Sequence, residues 1–264
     1  MNLAPILLFT YKRLDTLKQT VAALQRNYLA KDSTMFIFSD GARKEDDIAA
    51  VNAVRNYINT ISGFKEIIIH SAEANKGLAN SIIEGITKVI DQYGKVIVLE
   101  DDIVTSTNFL IFMNKALDFY EKNEKIFSIA GYTSVINKPV DDVYFTLRSS
   151  SWGWATWENR WLNVEWNIDN YDALKKDAKF RRAFNKMGSD MFKMLNDQMT
   201  GKINSWAIRW AYFQFKTNRY TVFPTVSKVQ NIGMGEDATH TRGGMNRFKA
   251  IVDESEKTDF NFIA

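Results

Sequence analysis

Over roughly the first hundred residues, short apolar runs alternate with segments whose apolar residues recur every three or four positions, and this alternation leaves the chain few folds to choose from. Residues 5–10, 34–39, 64–70 and 96–99 read as strands. Between them, Leu14, Leu17, Val21, Leu24 and Tyr28 mark one helix, and Ile48, Val51, Val54, Tyr57 and Ile58 a second. Leu78, Ile82, Ile83, Ile86, Val89 and Ile90 mark a third, which Gly94 ends. A βαβαβαβ order predicts a parallel sheet with right-handed crossovers and helices on both faces. Ligands of such open sheets bind outside the carboxyl ends of the strands.

Each of those ends carries polar residues. Thr10, Tyr11, Lys12 and Arg13 follow the first strand, Asp40 and Gly41 the second, Asn75, Lys76 and Gly77 the third. Singly, these read as turns or solvated pairs; together they converge on one edge. The fourth strand, V-I-V-L, stops on Glu100, Asp101 and Asp102. One acid there would favour the next helix through its dipole, and Ser106, Thr107 and Asn108 are plausible N-caps for a helix beginning at Phe109. Three adjacent acids repel one another unless a cation joins them. A hard divalent ion, Mn²⁺ or Mg²⁺, takes oxygen ligands and bridges carboxylates to the phosphates of a nucleotide.

Composition removes several classes. The 264 residues are 45% apolar and 25% charged, which suits a globular domain with a sizeable core. A net charge of +3, with no basic run longer than two, gives no case for nucleic-acid binding. With no cysteine, thiolate metal sites, disulfides and cysteine nucleophiles are excluded, and two histidines are too few for a histidine-rich metal centre. Absence of G-x-G-x-x-G after the first strand disfavours a dinucleotide fold, and absence of G-x-x-x-x-G-K-[ST] a P-loop. No G-x-S-x-G elbow occurs. The N-terminal apolar stretch lacks a basic n-region and reads as a strand, and no window is long enough to span a membrane. A cytoplasmic location follows as the expectation, with room for peripheral contact at the inner face of the membrane.

Beyond residue 104 the pattern loosens. Residues 109–120 read as a helix, 126–130 and 143–147 as strands, and five of the seven tryptophans then fall between Trp152 and Trp166. Tryptophans repeated in a loop pack on something, either an aromatic core or the apolar face of a sugar. Gly153, between Trp152 and Trp154, suggests a tight turn or close approach to a ligand. Residues 172–201 are charged and helical, and 205–220 form an aromatic-rich helix, read as a core helix with the alternative of bordering an acceptor pocket or a lipid-linked acceptor. A glycine-rich stretch with His240 follows. The polar tail from Asp253 is expected to project outward or to pack late.

In order, T-Y-K-R, S-D-G, N-K-G-L-A-N-S, V-L-E-D-D, W-G-W-A-T-W, S-W-A-I-R-W and N-I-G-M-G-E-D-A-T-H resemble the GT-A glycosyltransferases over roughly residues 4–242. The likeness is to bacterial sugar transferases of the family-2 type and to the animal N-acetylglucosaminyltransferase of N-glycan synthesis. It implies one GT-A domain with a Rossmann-like, mostly parallel sheet: a nucleotide-sugar half over residues 1–103, an acceptor half over 104–252 and a tail over 253–264. By position, Asp102 and His240 would meet Mn²⁺ or Mg²⁺, and Glu100 and Asp101 the ribose or sugar hydroxyls. Thr10, Arg13 and Asp40 would hold base and ribose, with Asn75 and Lys76 beside the nucleotide and Gly153 and Trp154 over the donor sugar.

The implied activity is metal-dependent transfer of a sugar from a nucleotide diphosphate, UDP foremost, to a saccharide or lipid-linked saccharide acceptor, by inversion. Lys12, Arg13, Lys76 and Arg242 are candidates to offset charge on the departing diphosphate. Inversion needs a carboxylate base on the acceptor hydroxyl. The family's acid after the first tryptophan of S-W-A-I-R-W is replaced by Ala207, which leaves Glu236, Asp237 and Glu158 as substitutes. Two alternatives stay open: a donor-binding protein without turnover, and a sugar-1-phosphate nucleotidylyltransferase, against which the glycine-free Thr10–Leu14 loop counts. The sequence sets no oligomeric state.

Overall fold

The computed structural model describes residues 2–135, 141–233 and 250–264. In chain order the elements are β1 (Ile6–Thr10), α1 (Leu14–Gln25), β2 (Thr34–Ser39), α2 (Ile48–Ile58), β3 (Glu66–Ser71), α3 (Leu78–Tyr93), β4 (Lys95–Glu100), β5 (Ile103–Thr105), α4 (Phe109–Tyr120), β6 (Ile126–Ala130), β7 (Val143–Thr146) and β8 (Trp154–Trp157). Then follow α5 (Glu158–Trp161), α6 (Tyr171–Lys176), α7 (Ala178–Phe184), α8 (Met191–Met199), α9 (Trp206–Lys216), β9 (Tyr220–Pro224) and β10 (Val229–Asn231).

Among the described residues one eight-stranded sheet runs β3-β2-β1-β4-β8-β6-β9-β7, with β8 and β7 against the direction of the rest. The chain is thus an α/β protein with a Rossmann-like, mostly parallel sheet. Alternation along the strands sorts the core onto two faces. Ile6, Leu8, Ile97 and Leu99 pack under α1, α2 and α4. Leu7, Phe9, Val96 and Val98 pack under α3 and α9. A third apolar cluster, with Tyr171, Phe184, Leu195 and Tyr212, joins α6, α7 and α8 to the outer side of α9.

Two expectations are corrected here. The tryptophan segment is not a loop: Trp154, Ala155, Thr156 and Trp157 form β8, wholly buried between β4 and β6. A four-residue strand lined on both sides by apolar residues shows no alternation, so periodicity could not reveal it. Nor does Asn108 cap α4 with its side chain. Its amide donates to Asp253 Oδ2 and to the carbonyls of Ser255 and Lys257, which ties the C-terminal segment down.

Of the two fates expected for that segment, it packs. A buried ion pair joins Lys228 to Asp253, and Phe260 sets its ring edge-on to Phe112 of α4 at 5.2 Å. Among the described residues no helix is long and apolar enough to cross a membrane.

Candidate functional site

At the carboxyl end of β4 the chain turns through Asp101 and Asp102 into β5. Because β1 and β4 are neighbours in register, the residues after β1 land beside that turn. Arg13, just ahead of α1, forks across the turn: one guanidinium nitrogen pairs with Asp101 and the other lies 2.9 Å from Asp102 Oδ2. The Tyr11 amide donates to the second oxygen of Asp101 at 3.3 Å. Among the described residues Asp102 Oδ1, which is buried, has no partner, and neither has Thr10 Oγ1 at the end of β1. A buried polar atom without a partner is costly, and a bound ligand is one way to satisfy it.

Three carboxyl groups facing one guanidinium leave an excess of negative charge. Burial, then the charges of Asp102 and Asp101, push Glu100 up to about 8, against the pull of Arg13. Burial likewise raises Asp101 to about 6, with Arg13 pulling it down and Asp102 adding to the rise. An acid whose pKa is raised by folding is at ease below its unfolded pKa and weakens the fold as pH climbs through the raised one. The melting temperature of the metal-free protein is therefore expected to fall between about pH 6 and pH 8.5 by on the order of 5 °C, and Glu100→Gln to flatten that slope. Thermal melts across this range check it; an unchanged slope in the variant would place the charge strain elsewhere.

The second polar group is built around Asp40. Its Oδ1 accepts from the Gly41 and Lys76 amides, both at 2.9 Å, and its Oδ2 from the Asn75 side chain and the Gly77 amide, both at 3.0 Å. Those bonds lock the loop that enters α3. Asn75 also donates to the Gly41 carbonyl, while the Lys76 ammonium turns away to Glu84 at 2.6 Å. Gly41 packs so tightly on the backbone of Ala74 and Asn75 that a methyl would overlap it. The Asp40 amide donates to the Thr10 carbonyl at 3.1 Å, which joins this group to the end of β1.

The remaining expected residues scatter. Trp154 is buried among Trp206, Trp161 and Trp210, stacked on Trp206 at 5.0 Å, so its ring lies in the core and not over a sugar. Gly153 has φ +55 and makes its close approach to Val229 and Phe109, with its carbonyl accepting from the Gly131 amide at 2.6 Å. Glu158 follows Trp157, the ladder partner of Lys95, and its amide donates to Gly94. That is the amino end of β4, about 15–20 Å along the strand from the acids, so Glu158 is removed as a base for this site. Glu236, Asp237, His240 and Arg242 lie outside the described residues.

Sequence reasoning missed two parts. Asp47 accepts from the Tyr11 hydroxyl at 2.8 Å and pairs with Lys12 at 2.7 Å, which fixes the loop after β1. Ile232 and Gly233 cover the acids: the Ile232 amide donates to the Asp102 carbonyl at 2.9 Å, and a methyl at Gly233 would overlap Asp102 and Arg13. The glycine of N-I-G was a usable signal for such an approach; Asp47, on a charged turn, offered none.

Do these residues suit the divalent ion the acids suggest? Among the described residues no three acid or histidine side chains converge on one point. A magnesium-type ion, however, commonly takes only one or two protein carboxylates and completes its shell with phosphate and water. The unpartnered Asp102 Oδ1, with Glu100 beside it, fits that donor set.

The fold and site define an α/β protein with an acidic, arginine-bridged centre at the carboxyl edge of its sheet. No protein-family model matches the chain, and no curated protein matches its sequence at a significant level. Among solved structures it is similar to a mannosyltransferase from Pyrobaculum calidifontis in complex with GDP-Man and Mn²⁺, at 11% identity over 59% of this chain and 44% of that one, with a TM-score of 0.42. It is similar also to TarS of S. aureus, at 12% identity over 52% and 23% with a TM-score of 0.35, and to a UDP-glucose pyrophosphorylase complexed with UDP-glucose, at 12% over 85% and 91% with a TM-score of 0.40. The chain spans less than half the length of the first two.

Proposed function

We propose that the chain is a glycosyltransferase of GT-A type that takes a sugar from a nucleotide diphosphate. The observation that carries this reading is the acid trio at the end of β4, in which Arg13 bridges Asp101 and Asp102 and one buried carboxylate oxygen has no partner among the described residues. Departure of a nucleoside diphosphate builds negative charge at the phosphates, and a cationic centre there stabilises the transition state. A divalent ion held by Asp102 would supply that Lewis-acid charge. Arg13 contributes a fixed guanidinium at the same place, and the Asp40 loop, rigid and at the β2–β3 side of the acids, is the proposed seat of base and ribose. Glu236 or Asp237 is proposed as the base on the acceptor hydroxyl, and His240 as a further contact to the ion or diphosphate. The acceptor is proposed to be a saccharide or lipid-linked saccharide.

A thermal-shift panel of UDP-, GDP- and dTDP-sugars, each with and without Mn²⁺, tests the reading, because a ligand that binds only the folded state raises its melting temperature. One nucleotide is expected to give a shift that chelator removes. No shift with any of them would sink the assignment. A shift accompanied by pyrophosphate-dependent release of nucleoside triphosphate would instead identify a nucleotidylyltransferase.

A further inference from the structure

Sequence alone offers α9 as one place for contact with a lipid-linked acceptor, and the structure closes that route. Most side chains from Trp206 to Gln214 are buried, some against the sheet and the others under α6, α7 and α8. A partner approaching from this side meets the covering layer instead.

That layer is basic. Residues 171–204 carry eight Lys and Arg against four Asp, a net charge of +4 where the whole chain has +3. The remainder of the chain is therefore slightly acidic. Six of the cations, Lys175, Lys176, Lys179, Arg181, Arg182 and Lys186, fall within twelve residues, and all six are exposed. Three of the four acids are engaged elsewhere. Asp177 caps α7 by accepting from the Lys179 and Phe180 amides at 2.8 and 3.1 Å, Asp190 pairs with Arg148 at 2.9 Å, and Asp197 pairs with Lys193 and Lys202. Among the described residues none of the six cations forms an ion pair, and Arg181 lies over the Phe192 ring at 5.8 Å.

The layer is also two-sided. Along α7 and the turn that follows it, Lys179, Arg182 and Lys186 recur at helical spacing on one side, while Phe180 and Phe184 take the other and stack at 5.4 Å in the third apolar cluster. Cations in a last helical turn also offset the helix dipole, but one per helix would serve. That purpose leaves most of the six unexplained.

We propose that the outer face of α6 and α7 docks on an anionic phospholipid bilayer. A cluster of about four to eight Lys and Arg on an amphipathic helical segment is drawn to the negative surface potential of such a bilayer, and long side chains reach mobile headgroups without a shaped pocket. Single-stranded nucleic acid, the other abundant polyanion, is held by a basic groove together with aromatic rings on which bases stack. Here the rings are turned to one another: Phe180 packs on Phe184 and Tyr212, and Phe184 on Phe215. Charge complementarity carries the proposal, and it holds whatever the acid trio binds.

Vesicle co-sedimentation with the full chain tests it. Wild type is compared with a patch variant, Lys175→Gln, Lys179→Gln, Arg182→Gln and Lys186→Gln together, and with a control, Lys31→Gln, Lys65→Gln, Lys88→Gln and Lys122→Gln together. All eight positions are exposed, both variants lose the same charge, and melting temperatures show that each is folded. Wild type is expected to bind vesicles containing about 30% phosphatidylglycerol, to ignore phosphatidylcholine alone, and to be released as salt rises from about 0.1 M to about 0.5 M. The patch variant is expected to bind at least about tenfold more weakly, and the control within about threefold of wild type. No binding to anionic vesicles, equal binding to neutral ones, or equal weakening in the control overturns the proposal. So does tighter binding to a fluorescent DNA duplex or single-stranded RNA than to vesicles at the same salt, which would assign the patch to nucleic acid. The vesicles carry no nucleotide, so failure here leaves the donor reading standing, and failure of the donor melts leaves the bilayer contact standing.

Discussion

Asp102→Asn is expected to lower sugar transfer by about a hundredfold or more while leaving the melting temperature close to that of wild type. Asparagine keeps the size of the side chain and an oxygen toward Arg13, and removes one negative charge from a site that has too many. What it takes away is the buried carboxylate oxygen that none of the described residues satisfies. Arg13 lies 2.9 Å from the other oxygen, so the fold retains a hydrogen-bonding partner there. Turnover measured with saturating donor and Mn²⁺, beside a melt of the same sample, checks the expectation. Full activity in a folded variant, or in wild type under chelator, would take the acid trio out of the reaction.

Arg13→Ala should instead cost stability. The Asp101 carboxylate is buried, and among the described residues its charged partner is this one guanidinium; taking away half of a buried ion pair costs about 3 kcal/mol because the other half is left unpaired. Asp102 and Glu100 then face Asp101 with no cation between them. A chemical denaturation series should show the loss, and the double change Arg13→Ala with Asp101→Asn should restore most of it. Arg13→Lys should restore less, since an ammonium cannot fork across two carboxylates. A single variant as stable as wild type would mean that the acids are held apart by something other than Arg13.

The parallel half of the sheet was legible because its helices and strands carry different apolar periods. The bounds of β2, α4 and β6 agree with the reading from residues alone, and β1, β3 and β4 differ by at most two residues. The acid trio was legible too, since three adjacent carboxylates after a buried strand are conspicuous without any knowledge of their neighbours. The second half was less so. Strand β8 carries no period, and the tryptophans around it look alike in sequence although Trp154, Trp157 and Trp161 are buried and Trp152 and Trp166 are partly exposed.

Local pattern thus determined the layered α/β fold and the polar residues that stand at the carboxyl ends of β1, β2 and β4, because period and strand order are written in consecutive positions. Tertiary structure alone decided which of those residues meet. That Arg13 bridges Asp101 and Asp102, that Asp40 is engaged by four donors of its own chain, that Trp154 is core, and that Glu158 is at the far end of β4 all follow from register between strands distant in the chain. A ladder shifted by one residue exchanges the two faces of a strand, and no local signal in this chain specifies which neighbour β8 will find.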